Sequence, residues 1–228
     1  MNLIAYGDSI MKGVRYQNGK YSVCSFWEQT LRDHFGLNVV NRSRFGCTIG
    51  KALPVIRKKT TAEDEGRNVV ILEFGGNDCD YDWDAISADP TGRHQCKTPP
   101  EVFVANYREA VSVLREKGDH PVMLTLPPII AERYLDFVCR NGASRANILK
   151  WLGNVFSIER WQKTYSELIQ QIAREEQVDL IDLRAEFPAS GKDLNSLICE
   201  DGIHPSEEGQ RLISSILSRK LNALIAAV

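Results

Sequence analysis

The 228-residue sequence lacks several features that would assign a protein to a class at once. It has no run of about eighteen consecutive apolar residues, which argues against a membrane-spanning helix. Its 28 basic and 30 acidic residues are spread along the chain and give a net charge of −2. A basic patch is therefore missing, and we expect no binding to nucleic acid or to an anionic membrane. Internal repeats and linkers are also absent, which favours a single domain over residues 1–228.

The six cysteines lack a pattern that would give them a shared role. They lie at positions 24, 47, 79, 96, 139 and 199 without a Cys-x-x-Cys pair, and a chain this long needs no disulfide bonds to stabilise its core. We expect reduced thiols. His94 and Cys96 could form half of a metal site, but no second pair of ligands lies nearby, so we predict neither a metal ion nor another cofactor. The first predicted strand leaves no room for a secretory signal, so a cytoplasmic location is expected.

Five short apolar runs, rich in β-branched residues, predict the strands of a parallel sheet. Helical patterns separate these runs, and such alternation is typical of an α/β fold. Residues 75–99 and 127–157 are predicted to be long loops, which in small domains are often functional. The predicted strands are LIAY (3–6), LNVVN (37–41), NVVILEF (68–74), PVMLTL (121–126) and VDLIDL (178–183). The predicted helices cover residues 24–35, 100–118, 157–177 and 206–228.

Residue types suited to acyl transfer lie after three of these strands and before the last helix. Ser9 follows the first strand in the stretch YGDSIMKG, and open α/β sheets place their chemistry at the carboxyl ends of strands. Gly46 follows the second strand and Asn77 the third. Asp201 precedes His204 by three residues in EDGIHPSEEG, near the C-terminus. The sequence thus supplies a nucleophile, a base, a carboxylate and hydrogen-bond donors at places where one sheet edge can collect them.

These residues fit the requirements of a serine nucleophile, although each also has a plainer interpretation. A serine hydroxyl is weakly nucleophilic until a base removes its proton, and histidine suits that task near neutral pH. Asp201 would orient the imidazole, and N–H groups of Ser9, Gly46 and Asn77 would bind the oxyanion. Alternatively, Ser9 could cap a helix and His204 could lie in an ordinary loop. Gly46 and Asn77 could simply serve turns.

Four blocks of the sequence together resemble the SGNH hydrolases, the GDSL-type esterases and lipases. The blocks follow one another in the family's order over residues 7–205. The resemblance implies a three-layer α/β/α flavodoxin-like fold with a five-stranded parallel sheet, and an acyl-enzyme mechanism without a metal. The blocks are GDSI with Ser9, NRSRFG with Gly46, GGND with Asn77, and DGIHP with Asp201 and His204. By this resemblance Ser9, Asp201 and His204 are the catalytic triad, and Ser9, Gly46 and Asn77 form the oxyanion hole.

The sequence departs from the family pattern beside the predicted oxyanion hole, and this bears on the substrate. Ile10 stands where leucine is frequent, and Arg44 and Phe45 stand where small residues are common. Phe45 would narrow the space for an acyl chain, whereas Tyr81 and Trp83, set among aspartates, could stack on a sugar face. We therefore expect a small-molecule substrate, an acetyl-like ester of a polar or sugar-like alcohol, with Phe45, Tyr81 and Trp83 binding it.

Two alternatives to this substrate prediction remain open. Apolar residues of 129–157 could form a lid over a longer acyl chain, as a lipase, lysophospholipase or thioesterase would need. The chain could also be a non-catalytic ligand-binding domain on the same kind of sheet, since a fold does not determine a function. Asp8 and Asp78 are expected to be structural, with their carboxylates bonded to nearby backbone. The oligomeric state is not predicted.

Overall fold

A computed structural model describes residues 2–58 and 68–225 and places five strands in one parallel sheet. The strands are β1 (Asn2–Gly7), β2 (Val14–Gln17), β3 (Lys20–Val23), β4 (Asn38–Asn41), β5 (Val69–Glu73), β6 (His120–Leu124) and β7 (Asp179–Ile181), of which β2 and β3 form a separate antiparallel pair. The order across the parallel sheet is β4-β1-β5-β6-β7, so the chain runs from β1 out to β4 and then returns past β1 to β5. This change of direction opens a crevice at the carboxyl ends of β1 and β5, where open α/β sheets bind ligands.

Helices cover both faces of the sheet, which confirms the predicted three-layer α/β/α fold. The helices are α1 (Phe26–Phe35), α2 (Ile49–Arg57), α3 (Trp83–Ala88), α4 (Pro100–Glu116), α5 (Ala131–Cys139), α6 (Arg145–Leu152), α7 (Ser157–Glu175), α8 (Leu183–Ala189), α9 (Leu194–Leu197) and α10 (Glu207–Ile225). Alternate residues of a strand point to opposite faces. Ile4 and Tyr6 accordingly pack with α2, α4 and α7, whereas Leu3 and Ala5 pack with α1 and α10.

The two predicted long loops contain helices, which corrects that part of the sequence interpretation. Residues 75–99 include α3, and residues 127–157 include α5 and α6. These helices have six to nine residues and pack against one another around a separate apolar cluster that includes Trp83, Leu135 and Ile148. Short helices of this kind are stabilised mainly by tertiary packing, so their own periodicity is a weak signal.

The antiparallel hairpin β2–β3 and the helices α2, α8 and α9 are further differences from the prediction. All four residues of β3 are exposed, so the hairpin lacks the alternation that marks a half-buried strand. Pro54 lies inside α2, and because proline is disfavoured in the interior of helices, the sequence did not predict this helix. The predicted last helix ends at residues 226–228, which lie outside the described residues, and the single domain over 1–228 stays a prediction.

Within residues 2–58 and 68–225, no helix combines the length and the apolar composition needed to cross a membrane. The six cysteines all fall within those ranges, and each is a free thiol.

Candidate active site

Ser9, His204 and Asp201 form a continuous chain of hydrogen-bonded side chains. The Ser9 Oγ lies 2.9 Å from Nε2 of His204, although the two residues are 195 positions apart. The Nδ1 atom of His204 lies 2.5 Å from Oδ2 of Asp201. A neutral imidazole that donates Nδ1–H to Asp201 presents Nε2 as an acceptor for the serine hydroxyl. All three side chains are buried, so little water competes for these bonds.

The loop before α10 holds Asp201 and His204 in this arrangement. Oδ1 of Asp201 accepts the backbone N–H groups of Ile203 and His204 at 3.2 and 3.1 Å, which leaves Oδ2 for the imidazole. Gly202 has a φ of +79°, and a Cβ atom there would lie 2.5 Å from the carbonyl oxygen of Ile130 and from the backbone nitrogen of Tyr134. Only glycine fits this close approach to the start of α5.

Ser9 lies directly after β1, in a turn that its neighbour Asp8 stabilises. Oδ1 of Asp8 accepts the N–H of Ile10 at 2.8 Å, and the carbonyl of Asp8 accepts the N–H of Lys12 at 3.1 Å. No helix begins at this turn, because the chain continues into β2 at Val14. The interpretation of Ser9 as a helix cap therefore does not apply, and the predicted backbone-bonding role of Asp8 is confirmed.

Gly46 and Asn77 lie at the same cavity as Ser9 and His204. Gly46 has a φ of +67°, and a Cβ atom there would project into open space, so its backbone is accessible to a ligand. One Nδ2 hydrogen of Asn77 is donated to Oδ2 of Asp8 at 3.0 Å. Because the amide nitrogen carries two hydrogens, this bond leaves the other one for a ligand.

The Asp78 carboxylate connects the loop that carries Asn77 to the helix that follows Gly46. Its two oxygens lie 3.2 and 3.3 Å from the backbone N–H of Ile49, at the start of α2. The pKa of this carboxyl group is raised from 3.8 to about 7, and burial is the largest cause. Hydrogen bonds from Thr98 and Ile49 lower the pKa, but by less than burial raises it. Asp78 thus bonds to nearby backbone as expected, and its side chain is fully buried.

The cavity beside Ser9 has a volume of about 560 Å³, within the usual range for small-molecule sites. The substrate-binding residues predicted from the sequence, Phe45, Tyr81 and Trp83, all line it. Asp201 does not line it, because this residue lies behind His204. Much of the wall is aromatic or aliphatic and includes Tyr81, Trp83, Ile129, Trp151, Ile158 and Trp161.

Two of the three carboxylates beside Tyr81 and Trp83 are hydrogen-bonded within the protein. Nε1 of Trp83 donates to Oδ1 of Asp80 at 2.9 Å, and Asp80 also accepts from Tyr134 at 2.7 Å and Lys97 at 2.7 Å. Asp82 accepts the N–H of Ala85 at 3.0 Å and so caps α3. These two carboxylates therefore hold the cavity wall together.

Two aromatic residues flank the imidazole at the cavity rim. The Phe45 ring stacks on His204 with centroids 6.0 Å apart, and its side chain is 55% exposed. Tyr21, from the β2–β3 hairpin, packs edge-on against both rings at 5.2 and 5.8 Å. Tyr21 was missed in the sequence because nothing in its exposed hairpin marks a site.

The half-site for a metal suggested by His94 and Cys96 is not assembled in the structure. The His94 ring bonds to the carbonyl of Asp89 at 2.8 Å, and the Cys96 sulfur lies 3.1 Å from the hydroxyl of Tyr165. Across residues 2–58 and 68–225, His, Cys, Asp and Glu side chains form no group of three or more that could hold a metal ion.

Comparison with known proteins gives a family match in sequence and several matches in structure. Residues 5–212 match the model of the GDSL-like Lipase/Acylhydrolase family. No curated protein matches the chain significantly in sequence. A lipase/acylhydrolase from Enterococcus faecalis is 17% identical with a TM-score of 0.62, covering 98% of this chain and 96% of that one. TesA is 19% identical with a TM-score of 0.63, covering 98% and 99%. The acetyl xylan esterase AlAXEase is 19% identical with a TM-score of 0.60, covering 95% and 98%. At these identities the structural matches show a shared fold.

Proposed function

We propose that this chain, which belongs to the GDSL-like Lipase/Acylhydrolase family, hydrolyses carboxylic esters through an acyl-enzyme formed on Ser9. The family consists of ester hydrolases, and the residue roles are our proposal. The observation that carries it is the hydrogen-bonded chain from Asp201 through His204 to Ser9, which opens on a cavity with Gly46 and Asn77 at its edge.

In the proposed reaction, Ser9 Oγ attacks the ester carbonyl while Nε2 of His204 accepts the hydroxyl proton. Asp201 stabilises the resulting imidazolium through its bond to Nδ1. The oxyanion is bound by the backbone N–H groups of Ser9 and Gly46 and by the free Nδ2 hydrogen of Asn77. His204 then gives its proton to the departing alcohol, and a water molecule activated by the same imidazole hydrolyses the acyl-enzyme.

The walls of the cavity favour an acyl chain longer than acetyl. The sequence alone predicted an acetyl-like ester and left the longer chain as an alternative. Phe45 stacks on the imidazole at the rim, where it is half exposed, so it leaves the cavity open. The rings of Tyr81 and Trp83 pack against other aromatic rings of the protein: the centroids of Tyr81 and Trp151 lie 5.0 Å apart, and those of Trp83 and Tyr134 lie 6.0 Å apart. Of the three aspartates beside Tyr81 and Trp83, Asp80 is the one that lines the cavity, and it already accepts hydrogen bonds from Trp83, Tyr134 and Lys97. An apolar acyl chain suits such a wall.

An ester panel tests the substrate proposal. The measurement is kcat/KM for acetyl, butyryl and octanoyl esters of one leaving group. We expect octanoyl to exceed acetyl by about tenfold or more, equivalent to about 1.4 kcal/mol of transition-state binding. A higher value for acetyl would instead support the short acyl group on a polar alcohol. If no ester is hydrolysed and Ser9 resists a fluorophosphonate, the non-catalytic ligand-binding domain is the better proposal. A cytoplasmic location stays a prediction from the sequence.

A further inference from the structure

Glu73 is a fully buried carboxyl group for which the proposed reaction has no use. It ends β5, and its Cα pairs with that of Gly7 in β1. Neither carboxyl oxygen has a hydrogen-bond donor at good geometry among the described residues. The groups that face it are the Asp8 carboxyl group and the backbone N–H groups of Asp8 and Met11. A charged carboxylate so placed would be strongly destabilising.

Asp8, by contrast, has the hydrogen-bond donors that an ionised carboxylate requires. The N–H of Ile10 is donated to its Oδ1 at 2.8 Å, and Nδ2 of Asn77 is donated to its Oδ2 at 3.0 Å. Burial raises the pKa of both carboxyl groups, and for Glu73 the adjacent Asp8 charge raises it further, well above the ordinary value. Two adjacent buried carboxyl groups without a cation do not both ionise, and the one with fewer donors keeps the proton.

We propose that a protonated Glu73 donates an O–H hydrogen bond to the ionised carboxylate of Asp8, and that this pair positions the Asn77 amide in the oxyanion hole. The inference rests on the proposed function, because that function identifies the hole. Asp8 binds one Nδ2 hydrogen of Asn77 and so fixes the amide plane, which directs the second hydrogen towards the cavity. The proton on Glu73 also keeps a second negative charge away from the developing oxyanion. Glu73 is therefore a positioning residue that acts through Asp8.

Other titratable groups face this pair, and they determine which controls are needed. Asp78 and His204 interact with the charge of Asp8, as does the thiol of Cys47. The Tyr107 hydroxyl lies near Glu73 but bonds to the backbone of Phe74 and Leu72. Of these groups, Asp78 is the other buried carboxyl that can hold a proton near neutral pH. Asp78→Asn is therefore the matched control.

The test compares Glu73→Gln with Glu73→Leu in the full chain. Glutamine has the same shape and can donate an N–H to Asp8, so we expect kcat within about threefold of wild type. Leucine cannot donate, and we expect kcat to fall about tenfold to a hundredfold with little change in KM, because an oxyanion donor is misplaced. Equal losses in the two variants would overturn the proposal.

Infrared spectroscopy at about pH 8 detects the proton on Glu73 directly, independently of any effect of the substitution on activity. The wild-type spectrum should contain a protonated-carboxyl band that Glu73→Gln lacks and that Asp78→Asn keeps. Absence of a difference between wild type and Glu73→Gln would overturn the proposal even if Glu73→Leu fails to fold. Ser9→Ala tests the proposed function separately, since full ester hydrolysis by that variant would refute the acyl-enzyme on Ser9 and leave the infrared result unaffected.

Discussion

The buried carboxyl group of Asp78 should make the folded protein less stable as the pH rises from about 4 to about 7. In the folded chain its pKa is raised to about 7, chiefly by burial, from an ordinary value of 3.8. Between these two values the unfolded chain has released the proton while the folded chain still binds it. The free energy of unfolding therefore falls with increasing pH through this window. Asp78→Asn removes the effect, because the amide does not ionise and its Oδ1 can still accept the N–H of Ile49.

The magnitude follows from the difference between the two pKa values. One pKa unit corresponds to about 1.4 kcal/mol, so a shift from 3.8 to about 7 is worth at most about 4 kcal/mol. This contribution is fully present below the ordinary pKa and is lost once the pH passes the folded value. Between pH 5 and pH 8 the stability of Asp78→Asn relative to wild type should increase by about 2 to 3 kcal/mol.

Urea unfolding at these two pH values measures the difference directly. Asp193→Asn is the matched control, because Asp193 caps α9 at the surface and its pKa is lowered by Asn195. That control should show no such gain on going from pH 5 to pH 8. If the difference in free energy of unfolding between Asp78→Asn and wild type changes by less than about 0.5 kcal/mol from pH 5 to pH 8, burial does not set the pKa of this carboxyl group.

The remaining predictions concern the cavity and the loop before α10. Trp151→Ala removes an apolar side chain from the cavity wall, so it should lower kcat/KM for an octanoyl ester about tenfold relative to an acetyl ester. Phe156→Ala is the control and should not change this ratio, because Phe156 is 57% exposed and does not line the cavity. Gly202→Ala should lower the free energy of unfolding by about 2 kcal/mol or more in urea titrations, since the new Cβ meets backbone of α5. Asp201→Asn should lower kcat about a hundredfold or more by favouring the wrong imidazole tautomer, as steady-state kinetics would show.

The strands of the sheet were predictable because buried parallel strands are short, continuous apolar runs. NVVILEF and PVMLTL stand out for that reason, and they correspond to β5 and β6. The β2–β3 hairpin was not predictable, because its side chains are largely solvated and carry no periodic pattern. Helices α3, α5 and α6 are stabilised by packing on one another, which a local pattern does not record.

The residues that meet around Ser9 were predictable, whereas the cavity beside them was not. Three of these residues come after predictable strands, namely Ser9, Gly46 and Asn77, and His204 comes before the last helix. Because parallel strands end at the same edge of a sheet, the topology brings them together there. The apolar wall combines residues from distant segments, such as Tyr81, Trp151 and Trp161, and its shape depends on tertiary packing. Glu73 did leave a signal, namely a charge within the apolar run NVVILEF, and that signal was overlooked.

Whether Ser9 is an activated nucleophile is tested by mass spectrometry of the protein after reaction with a fluorophosphonate, with peptide mapping of the adduct. We expect one adduct per chain on Ser9, formed quickly in wild type, formed at least about a thousandfold more slowly in His204→Ala, and absent in Ser9→Ala. An unlabelled wild-type protein, or an adduct of equal yield in Ser9→Ala, would contradict the claim that Ser9 is an activated nucleophile.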